Sequence, residues 1–297
     1  MASEGTIHPP YCADQAVQIT APLASCEPIA RDTYRVRVAA PQIARRCIPG
    51  QFVMMRMART SDPLIGRALA IYDVIEDERG NPEEIDVVFV AKGKFTTTLA
   101  AAGCGAEVTL WGPLGNSFSV APAETLLIAV GGVGQTPMLM LAQEALGKRR
   151  FGPPERGSGY ASRVVMIYGA RNRDLLAGVD AFRATGMELV LCSDDGSIGR
   201  TGRVPEVLGE ILDRSVDIGR ARIVTCGPEK MMEKVAALAQ QRDIPCEVSL
   251  ETPMACGIGI CFTCVARVRQ GESGWDYKRT CVEGPIFDAA EIVWGDP

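Results

Sequence analysis

The chain has 297 residues, and this length predicts about two domains with a sizeable hydrophobic core. A formal net charge of -5 argues against a protein that binds nucleic acid through phosphate contacts, and a hydrophobic content of 47% excludes a disordered chain. No apolar run approaches the roughly 20 residues that a membrane-spanning helix needs, so we expect no membrane partner.

The first residues, MASEGTIHPPYC, lack a basic stretch followed by an apolar one, so we expect no secretory signal and a cytoplasmic protein. In that reducing compartment the eleven cysteines are expected to be core thiols or metal ligands rather than disulfides. The one histidine, His8, lies in a proline-flanked terminal segment, which disfavours histidine-based catalysis and metal binding. We identify no candidate catalytic residue.

The first part of the chain alternates short β-rich segments with turn residues, at intervals typical of a small antiparallel barrel. The predicted strands are residues 33–38, 52–57, 68–74, 85–90 and 107–111. We therefore predict an N-terminal antiparallel β-barrel over residues 14–120.

From residue 126 onward, apolar strands alternate with helical patterns, which predicts an α/β doubly wound parallel sheet over residues 121–243. The predicted strands are residues 126–130, 164–168, 188–192 and 222–226, and the predicted helices are residues 137–146, 204–212 and 229–241. Residues 151–162, rich in Pro, Gly and Ser, are interpreted as an exposed loop inside this domain. Residues 244–297 are predicted to form a small C-terminal segment.

A glycine-rich loop follows the first of these strands. It consists of Gly131, Gly132, Val133, Gly134, Gln135, Thr136 and Pro137. Small residues between a strand and a helix let backbone amides approach a pyrophosphate at the helix N-terminus. A second turn, Cys226, Gly227 and Pro228, follows a later strand, and ligands of parallel sheets gather at such strand ends. A plain tight turn between strand and helix remains the alternative for each loop.

The strongest signal is the spacing C-x4-C-x2-C, made by Cys256, Cys261 and Cys264, with Cys281 sixteen residues further on. This spacing matches that of plant-type ferredoxins, which hold a 2Fe-2S cluster through four thiolates. Structural zinc sites usually show two C-x2-C pairs, whereas this segment has one. A zinc site and four unrelated core cysteines remain the alternatives.

These motifs, in this order, resemble the electron-transfer subunits of type B dihydroorotate dehydrogenases, within the wider ferredoxin-reductase-like flavoproteins. The resemblance extends over nearly the whole chain from Gln15. Besides the two loops and the cysteines, it rests on Arg67-Ala68-Leu69-Ala70, Gly112-Pro113-Leu114-Gly115-Asn116, Tyr168-Gly169-Ala170-Arg171, Asp195-Gly196 and Cys281-Val282-Glu283-Gly284-Pro285-Ile286-Phe287.

The resemblance implies that the barrel binds FAD. Arg67 fits the family's R-x-x-S/T motif, with Ala68 and Leu69 inside it and Ala70 at the hydroxyl position; a surface salt bridge is the alternative role for Arg67. Gly93, Phe95 and Thr96 belong to a segment that resembles the family's G-x-G-T turn, with Phe95 at the second glycine. Val88, Phe89 and Val90 would line the flavin through backbone atoms. Lys92 and Lys94 are either charges near the diphosphate or solvated side chains.

The resemblance further implies a partner, an FMN-containing dihydroorotate dehydrogenase catalytic subunit, in a heterotetramer of two plus two subunits. The chain would pass electrons between that subunit and NAD(H) through the 2Fe-2S cluster and FAD, in pyrimidine biosynthesis. Residues 244–297 carry eight Asp/Glu against four Lys/Arg, which predicts a positively charged partner surface.

Two alternatives remain open at the level of sequence. One is a ferredoxin-NADP reductase or sulfide dehydrogenase type subunit, in which Arg171 and Arg173 would hold a 2'-phosphate. The other is a zinc-stabilised nucleotide-binding regulator that uses the same cysteines and loops. The cofactor content of the protein and its response to NADH and NADPH separate these alternatives.

Overall fold

The structure is a computed structural model that describes residues 12–214, 219–271 and 274–295. Within these ranges the chain forms a closed barrel, a seven-stranded sheet and a two-stranded hairpin. His8 lies outside the described residues. Of the helices in these ranges, none is long and apolar enough to cross a membrane.

Six antiparallel strands form the barrel, and all of them lie between Val17 and Leu114. The strands are β1 (Val17–Ala30), β2 (Thr33–Ala39), β3 (Phe52–Met57), β4 (Arg67–Glu76), β5 (Pro82–Val90) and β6 (Glu107–Leu114). Their order around the barrel is β1-β2-β5-β4-β3-β6, and β1 pairs with both β2 and β6, so the sheet closes on itself. Val36, Val38 and Ile85 point into the fully buried interior.

The predicted barrel and its five predicted strands are confirmed, with strand ends that differ by a few residues. The long strand β1 was not predicted, because its 14 residues mix Pro22, Pro28 and several polar side chains instead of alternating cleanly. Two helices accompany the barrel, α1 (Pro41–Ala44) and α2 (Lys94–Ala102). Helix α2 was not predicted either.

The second domain begins directly after the barrel. The strands of its sheet are β7 (Ala123–Gly131), β8 (Ala161–Ala170), β9 (Glu188–Ser193), β10 (Arg200–Thr201), β11 (Ala221–Cys226), β12 (Cys246–Ser249) and β15 (Ile286–Asp288). Its helices are α3 (Met138–Ala145), α4 (Val179–Ala184), α5 (Val204–Arg214) and α6 (Glu229–Gln241). Between β12 and β15 the chain forms a hairpin of β13 (Val265–Gln270) and β14 (Gly274–Arg279). The sheet order is β10-β9-β8-β7-β11-β12-β15. Neighbouring strands are parallel except β15, which runs antiparallel to β12.

Helices cover both faces of this sheet. Met138 and Leu139 of α3 and Phe182 of α4 pack with the side chains on one face, while Leu208 of α5 and Val235 of α6 pack on the other. The chain therefore has the predicted doubly wound architecture. The predicted helices at residues 137–146, 204–212 and 229–241 correspond to α3, α5 and α6.

The strand order reverses between β7 and β11, and this reversal positions the two predicted nucleotide loops. From β7 the chain proceeds outward through β8, β9 and β10, and then returns to place β11 on the other side of β7. Ligands of open α/β sheets bind at such a reversal, outside the carboxyl ends of the strands. The loops after β7 and β11 both lie there.

Some of the C-terminal residues extend the sheet, and others form a separate hairpin. Strands β12 and β15 extend the sheet beyond β11, whereas β13 and β14 form a separate hairpin between them. The side chain of Asn116, just after the barrel, accepts from the Ile286 amide at 2.9 Å and donates to the Ile286 carbonyl at 2.8 Å. The barrel thereby holds the start of β15.

The barrel and the sheet are joined by polar and aromatic contacts. Arg149 donates to the Asp73 carboxylate and to the Val74 carbonyl, each at 2.8 Å. Tyr72 of the barrel packs edge to face on Phe182 of α4, with ring centroids 6.3 Å apart. These contacts fix the two domains relative to each other.

Residues 151–162 form an irregular segment whose middle is mostly exposed, as predicted, but three side chains anchor it. Phe151 is 5% exposed. Arg156 donates to the fully buried Glu144 carboxylate at 2.7 and 2.9 Å, and Tyr160 donates to the same carboxylate at 3.1 Å. The predicted exposed loop is therefore held to the protein at these anchors, because a buried carboxylate needs partners.

Candidate functional site

A cavity of about 480 Å³ lies between the barrel and the second domain. Strands β4 and β5 form one side, and the loops after β7, β11 and β12 form the other. The predicted site residues that line it are Arg67, Ala68, Leu69, Ala70, Val88, Phe89, Val90, Thr96, Thr136, Pro137 and Cys226. The structure therefore brings the barrel motifs and the nucleotide loops to one cavity.

Other lining residues were not among the predicted site residues. They are Gly50, Phe52, Lys92, Val133, Ser249, Leu250, Glu251, Thr252, Pro253, Met254 and Pro285. Residues 249–254 follow the carboxyl end of β12, which pairs in parallel with β11. Had β12 been recognised as a parallel strand, the rule that ligands bind at carboxyl strand ends would have indicated this segment.

Arg67 is the first residue of β4 and is exposed at the cavity. Its Nη1 donates to the carbonyls of Ile65 and Gly66 at 3.3 and 3.2 Å. A guanidinium carries five donors, so it still has donors to offer an anionic ligand. Within the described ranges no carboxylate forms an ion pair with it in the structure, which distinguishes Arg67 from a surface salt bridge.

Strand β5 borders the cavity with the segment Val88, Phe89 and Val90. The ring of Phe89 stacks on Tyr34 with centroids 6.0 Å apart, within the barrel core. Val88 is 2% exposed and packs against the second domain. With both side chains engaged in packing, the strand has mainly its backbone to present to a ligand, as the family resemblance implies.

Residues 93–96 form the N-terminus of helix α2 rather than a turn. Gly93 is the N-cap residue with an extended backbone, φ -116°, and the Thr96 hydroxyl accepts from its amide at 3.0 Å. Phe95 is 1% exposed and packs in the barrel core. Thr96 lines the cavity, whereas Gly93 and Phe95 do not. The segment that resembles the G-x-G-T turn therefore forms the capped start of a helix, with Phe95 packed in the core.

Lys94, considered as a charge near a diphosphate, instead forms an ion pair with Asp62. Both side chains of this pair are exposed. Lys92 does line the cavity. Of the two lysines, Lys92 is therefore the one that faces a ligand.

The glycine-rich loop after β7 packs tightly against the loop after β11. A Cβ at Gly134 would lie 2.4 Å from the Cys226 carbonyl oxygen, and one at Gly131 would lie 2.8 Å from Met231 Sδ. Gly132 has a left-handed φ of +55° and nothing within 4 Å of a Cβ. Two of the glycines thus serve close packing, and Gly132 serves the turn.

Gln135 is fully buried, and neither its Nε2 nor its Oε1 has a hydrogen-bond partner among the described residues. Buried amides are nearly always paired, so an unpaired one marks a place where a ligand or water is expected. The next two residues, Thr136 and Pro137, line the cavity and lead into helix α3. The loop therefore suits a polar ligand at the start of α3.

Cys226 lies at the end of β11 and is 2% exposed, with the cavity at its edge. Burial raises the pKa of its thiol well above the ordinary range, so the thiol is neutral at physiological pH. Gly227 has φ +146°, and a Cβ there would lie 3.0 Å from the Gly131 amide. Gly227 and Pro228 shape the turn without lining the cavity.

Glu251 also faces this cavity. The residue is exposed, and partial desolvation by the surrounding protein raises the pKa of its carboxyl group above the ordinary value. Desolvation is the cause of this pKa shift, since it disfavours the charged form of the carboxyl group. A carboxyl group of this kind can bind or release a proton beside a ligand.

Three of the four cysteines of the predicted cluster lie in the loop of residues 256–264, which packs against the barrel together with Cys281. Cys264 and Cys281 are buried, at 2% and 0% exposure, whereas Cys256 is half-buried and Cys261 is exposed. The buried pair packs with Phe52, Met54, Leu114 and Val282 in one apolar cluster. One edge of the cysteine site therefore faces the protein and the other faces solvent.

Neighbouring groups shift the pKa of two of the four cysteine thiols. Hydrogen bonds from Thr263, and one with Cys256, lower the pKa of Cys261 to about 6. Burial and a hydrogen bond with Cys264 raise the pKa of Cys281 to about 12. Among the described residues no three His, Cys, Asp or Glu side chains gather as around a single metal ion. A donor set of four thiols fits a binuclear iron-sulfur cluster, whose two irons share four cysteines.

Backbone geometry prepares the cysteine loop for close approach. Gly257 has φ +74°, and a Cβ there would lie 2.5 Å from Met54 Cγ, so this position requires glycine. The Ile258 amide points to Cys256 Sγ at 3.4 Å, and the Thr263 hydroxyl donates to Cys261 Sγ at 3.1 Å. Donors already aimed at the sulfurs are what a bound cluster needs for stabilisation.

A smaller cavity of about 320 Å³ lies at the carboxyl ends of β8 and β9. It is lined by Asn172, Arg173, Asp174, Asp195 and Ser197. Arg173 lines it, as the NADP alternative requires, but two carboxylates line it as well, and Arg171 does not. The pocket is therefore of mixed charge.

Two family models match the chain. Residues 127–237 match the oxidoreductase NAD-binding domain. Residues 251–293 match the iron-sulfur cluster binding domain of dihydroorotate dehydrogenase B. These ranges contain the glycine-rich loop and the four cysteines, respectively.

Curated relatives resemble the chain over nearly its whole length. The protein of Desulforamulus reducens named dihydroorotate dehydrogenase B (NAD(+)), electron transfer subunit, is 33% identical over 267 residues, which cover 90% of this chain and 94% of the relative. The Geobacillus kaustophilus protein of the same name is 34% identical over 274 residues, covering 91% and 96%.

Solved structures share the fold. The NADH-dependent reduced ferredoxin-NADP oxidoreductase is similar with a TM-score of 0.75 and 27% identity, over 92% of this chain and 90% of that one. Phthalate dioxygenase reductase is similar with a TM-score of 0.58 and 14% identity, over 89% and 94%. The predicted ferredoxin-reductase-like architecture is confirmed by these likenesses.

Proposed function

The chain belongs to the family of dihydroorotate dehydrogenase B electron transfer subunits, and from this premise we propose that it carries electrons between a catalytic subunit that oxidises dihydroorotate and NAD+. The route passes through a 2Fe-2S cluster and FAD, in pyrimidine biosynthesis. A flavin, when bound, supplies the exchange between the two-electron chemistry of a nicotinamide and the one-electron chemistry of an iron-sulfur cluster. The residues of this chain hold these groups in position.

The observation that carries the proposal is a wall shared by the cavity and the cysteine site. Phe52 lines the cavity and packs in one apolar cluster with Cys264 and Cys281. Met254 lines the same cavity, lies two residues before Cys256 and packs against that cluster. The large cavity and the thiols are therefore separated by single side chains.

We assign the barrel side of the cavity to FAD. Arg67 offers its guanidinium to a phosphate, and Ala68, Leu69 and Ala70 follow it along β4. The backbone of residues 88–90 lies along the same wall. Gly93, Phe95 and Thr96 open the nine-residue helix α2, whose N-terminal amides favour an anionic group.

We assign the four cysteines to the 2Fe-2S cluster. Cys256, Cys261, Cys264 and Cys281 would together ligate the two irons, because their spacing is that of plant-type ferredoxins. The amide of Ile258 and the hydroxyl of Thr263 would then donate to ligand sulfurs.

We assign the loops at the carboxyl ends of β7 and β11 to NAD(H). Gly131, Gly132, Gly134 and Gln135 shape the first loop, and Thr136 and Pro137 bring it to the cavity. Cys226, Gly227 and Pro228 form the second loop. Cys226, at the cavity edge, marks where a nicotinamide would approach a flavin.

The proposed division of labour has three parts. Residues 14–120 bind FAD, residues 121–243 bind NAD(H), and residues 244–297 hold the cluster. This division is functional, since β12 and β15 of the last part also complete the sheet of the second.

The catalytic partner is proposed to contain FMN and to form a heterotetramer of two plus two subunits with this chain. We propose a cytoplasmic location. Besides the four cysteines assigned to the cluster, six described cysteines are free thiols, which suits a reducing compartment.

A ferredoxin-NADP reductase type subunit remains the second candidate, because the NADH-dependent ferredoxin-NADP oxidoreductase is 27% identical and Arg173 lines the outer pocket. The two candidates differ in their substrates. A strong preference for NADPH over NADH as flavin reductant would favour the second.

The test is a coupled assay of the complex. The catalytic subunit and this chain, purified separately and combined, should reduce NAD+ when dihydroorotate is added. The catalytic subunit alone, and a complex with Cys261→Ser in this chain, should reduce an artificial acceptor but not NAD+. NAD+ reduction that does not require this chain would overturn the proposal.

A further inference from the structure

One face of the β13–β14 hairpin combines arginine and aromatic side chains. The strand register pairs Arg269 with Trp275 and Arg267 with Tyr277, and side chains of directly paired residues lie on the same face of the sheet. Arg279, two residues after Tyr277, continues this face. We call these five residues the hairpin face.

The aromatic residues of the hairpin face are exposed. Trp275 and Tyr277 are 46% and 52% exposed, and their rings pack edge to face with centroids 5.1 Å apart. The guanidinium of Arg267 lies 5.6 Å from the centre of the Trp275 ring. Solvated aromatic side chains held in fixed positions are costly to leave uncovered, so they indicate an interaction surface.

The opposite face of the hairpin is anchored to the rest of the protein. Val268 is 4% exposed and forms an isolated β-bridge with Ile292. It packs in the same apolar core as Phe287 and Ala289. The hairpin is therefore fixed in place, with its arginine and aromatic residues turned outward.

The hairpin face continues into the cysteine loop. Arg279 Nη1 donates to the Gly259 carbonyl at 2.9 Å, and its guanidinium lies 5.1 Å from the centre of the Phe262 ring. Phe262 and Ile260 are 63% and 72% exposed, and they flank the exposed Cys261. The two surfaces thus form one patch beside the solvent-facing edge of the cysteine site.

The chemistry of this patch specifies its partner. Trp, Tyr and Arg are the residues most enriched among those that dominate binding energy at protein interfaces. The guanidinium groups of Arg267 and Arg269 favour negative charge opposite them, whereas Arg279 already forms an ion pair with Glu283. The patch therefore fits a protein surface that is acidic and partly apolar.

The acidic composition of residues 244–297 does not determine the charge of this patch. Glu247 pairs with Arg222 at 2.6 Å, within the second domain. Glu283 forms ion pairs with Arg279 and Lys278. Glu247 and Glu283 are therefore paired inside the protein, and the expectation of a positively charged partner surface stays a prediction for the other acidic residues of this segment.

We propose that the hairpin face, together with Ile260 and Phe262, docks the catalytic subunit through an acidic and partly apolar surface of that subunit. The inference rests on the proposed function, since the occupant is the subunit that exchanges electrons with this chain. Docking here covers the exposed edge of the cysteine site and brings the partner next to it.

The experiment measures binding of the purified catalytic subunit to the purified chain with its cofactors in place. The variants are Trp275→Ala and Arg269→Glu, and the matched charge-reversal control is Arg183→Glu, exposed on α4. Flavin reduction by NADH is measured on each isolated variant, because that readout does not involve the partner.

Trp275→Ala should weaken binding at least ~10-fold. Arg269→Glu should slow association and reduce its dependence on ionic strength, while Arg183→Glu should bind within about twofold of the unmodified chain. All three variants should be reduced by NADH like the unmodified chain. Binding of Trp275→Ala and Arg269→Glu as tight and as fast as that of the control would overturn the docking inference.

The two proposals fail differently. An unmodified chain that NADH does not reduce would overturn the proposed function, and the docking inference with it. Normal reduction by NADH combined with unchanged binding of both variants would overturn the docking inference alone.

Discussion

The indole Nε1 of Trp111 on barrel strand β6 donates a hydrogen bond of 2.9 Å to the carbonyl of Cys256, 145 residues further along the chain. The barrel that forms one wall of the large cavity therefore also holds the first cysteine of the proposed cluster. This single bond connects the two sites between which electrons are proposed to move.

Replacing Trp111 by Phe should loosen the cysteine loop. The variant keeps the aromatic packing and loses one hydrogen bond, so the free energy of unfolding should fall by about 1 kcal/mol. Iron should also be lost faster to a chelator, which absorbance at the cluster band follows. Trp275→Phe is the control, because Trp275 is exposed on the hairpin. Equal rates of iron loss from Trp111→Phe and the unmodified chain would show that this bond does not secure the loop.

Arg67→Ala should weaken the retention of FAD. Removing a charged donor from a phosphate removes about 1.5–3 kcal/mol of binding, so the dissociation constant should rise on the order of tenfold to a hundredfold. The measurement is the flavin-to-protein ratio after dialysis, with Arg79→Ala at the exposed β4–β5 turn as control. A ratio unchanged by Arg67→Ala would remove Arg67 from the flavin site.

Gly134→Ala should disturb the nucleotide loops. The added Cβ would lie 2.4 Å from the Cys226 carbonyl oxygen and 2.7 Å from the Gly227 amide, and both are backbone atoms that cannot rotate away. The free energy of unfolding should fall by about 1–3 kcal/mol, and the KM for NADH should rise.

The matched control for Gly134→Ala is Gly209→Ala. Gly209 lies within helix α5 with nothing within 4 Å of a Cβ, so alanine should stabilise the protein by about 0.5–1 kcal/mol. If both alanine variants had the same unfolding free energy and KM, the close approach of the two loops would not matter for nucleotide binding.

Glu251→Gln should change the pH dependence of stability. Glu251 is exposed, but partial desolvation beside the cavity raises the pKa of its carboxyl group in the folded protein, so folding favours the neutral form. The stability that this group contributes is complete below its unfolded pKa and is lost as pH rises through the folded one. The neutral Gln variant should therefore have a higher Tm than the unmodified chain at pH 8, and the difference should shrink toward pH 4. A difference that is constant across this range, as expected for the exposed Glu233→Gln, would contradict the assignment.

The parts of the fold that the sequence predicted are those with strong local patterns. The apolar runs that became β7 and β11 and the spacing from Cys256 to Cys264 depend on few residues close together in sequence. Helix α2 was missed because its start resembles a ligand-binding turn. Only the packing of Phe95 in the barrel core distinguishes the helix from that turn.

Other site residues depend on contacts between distant segments, which a sequence pattern does not reveal. Glu251 lines the cavity because it follows β12, which pairs with β11. Phe52 of β3 lines the cavity and packs in the same apolar cluster as Cys264 and Cys281. The pairing of Glu247 with Arg222 is likewise a tertiary contact, which the acidic composition of the C-terminal residues does not reveal.

The most direct test of the account is an anaerobic absorbance titration of the isolated protein with NADH, with iron, sulfide, zinc and flavin quantified beforehand. The account predicts about two irons and one FAD per chain, with both the flavin and the cluster bands bleached by NADH. A protein that contains zinc and no flavin, or whose cluster stays oxidised when the flavin is reduced, would contradict it.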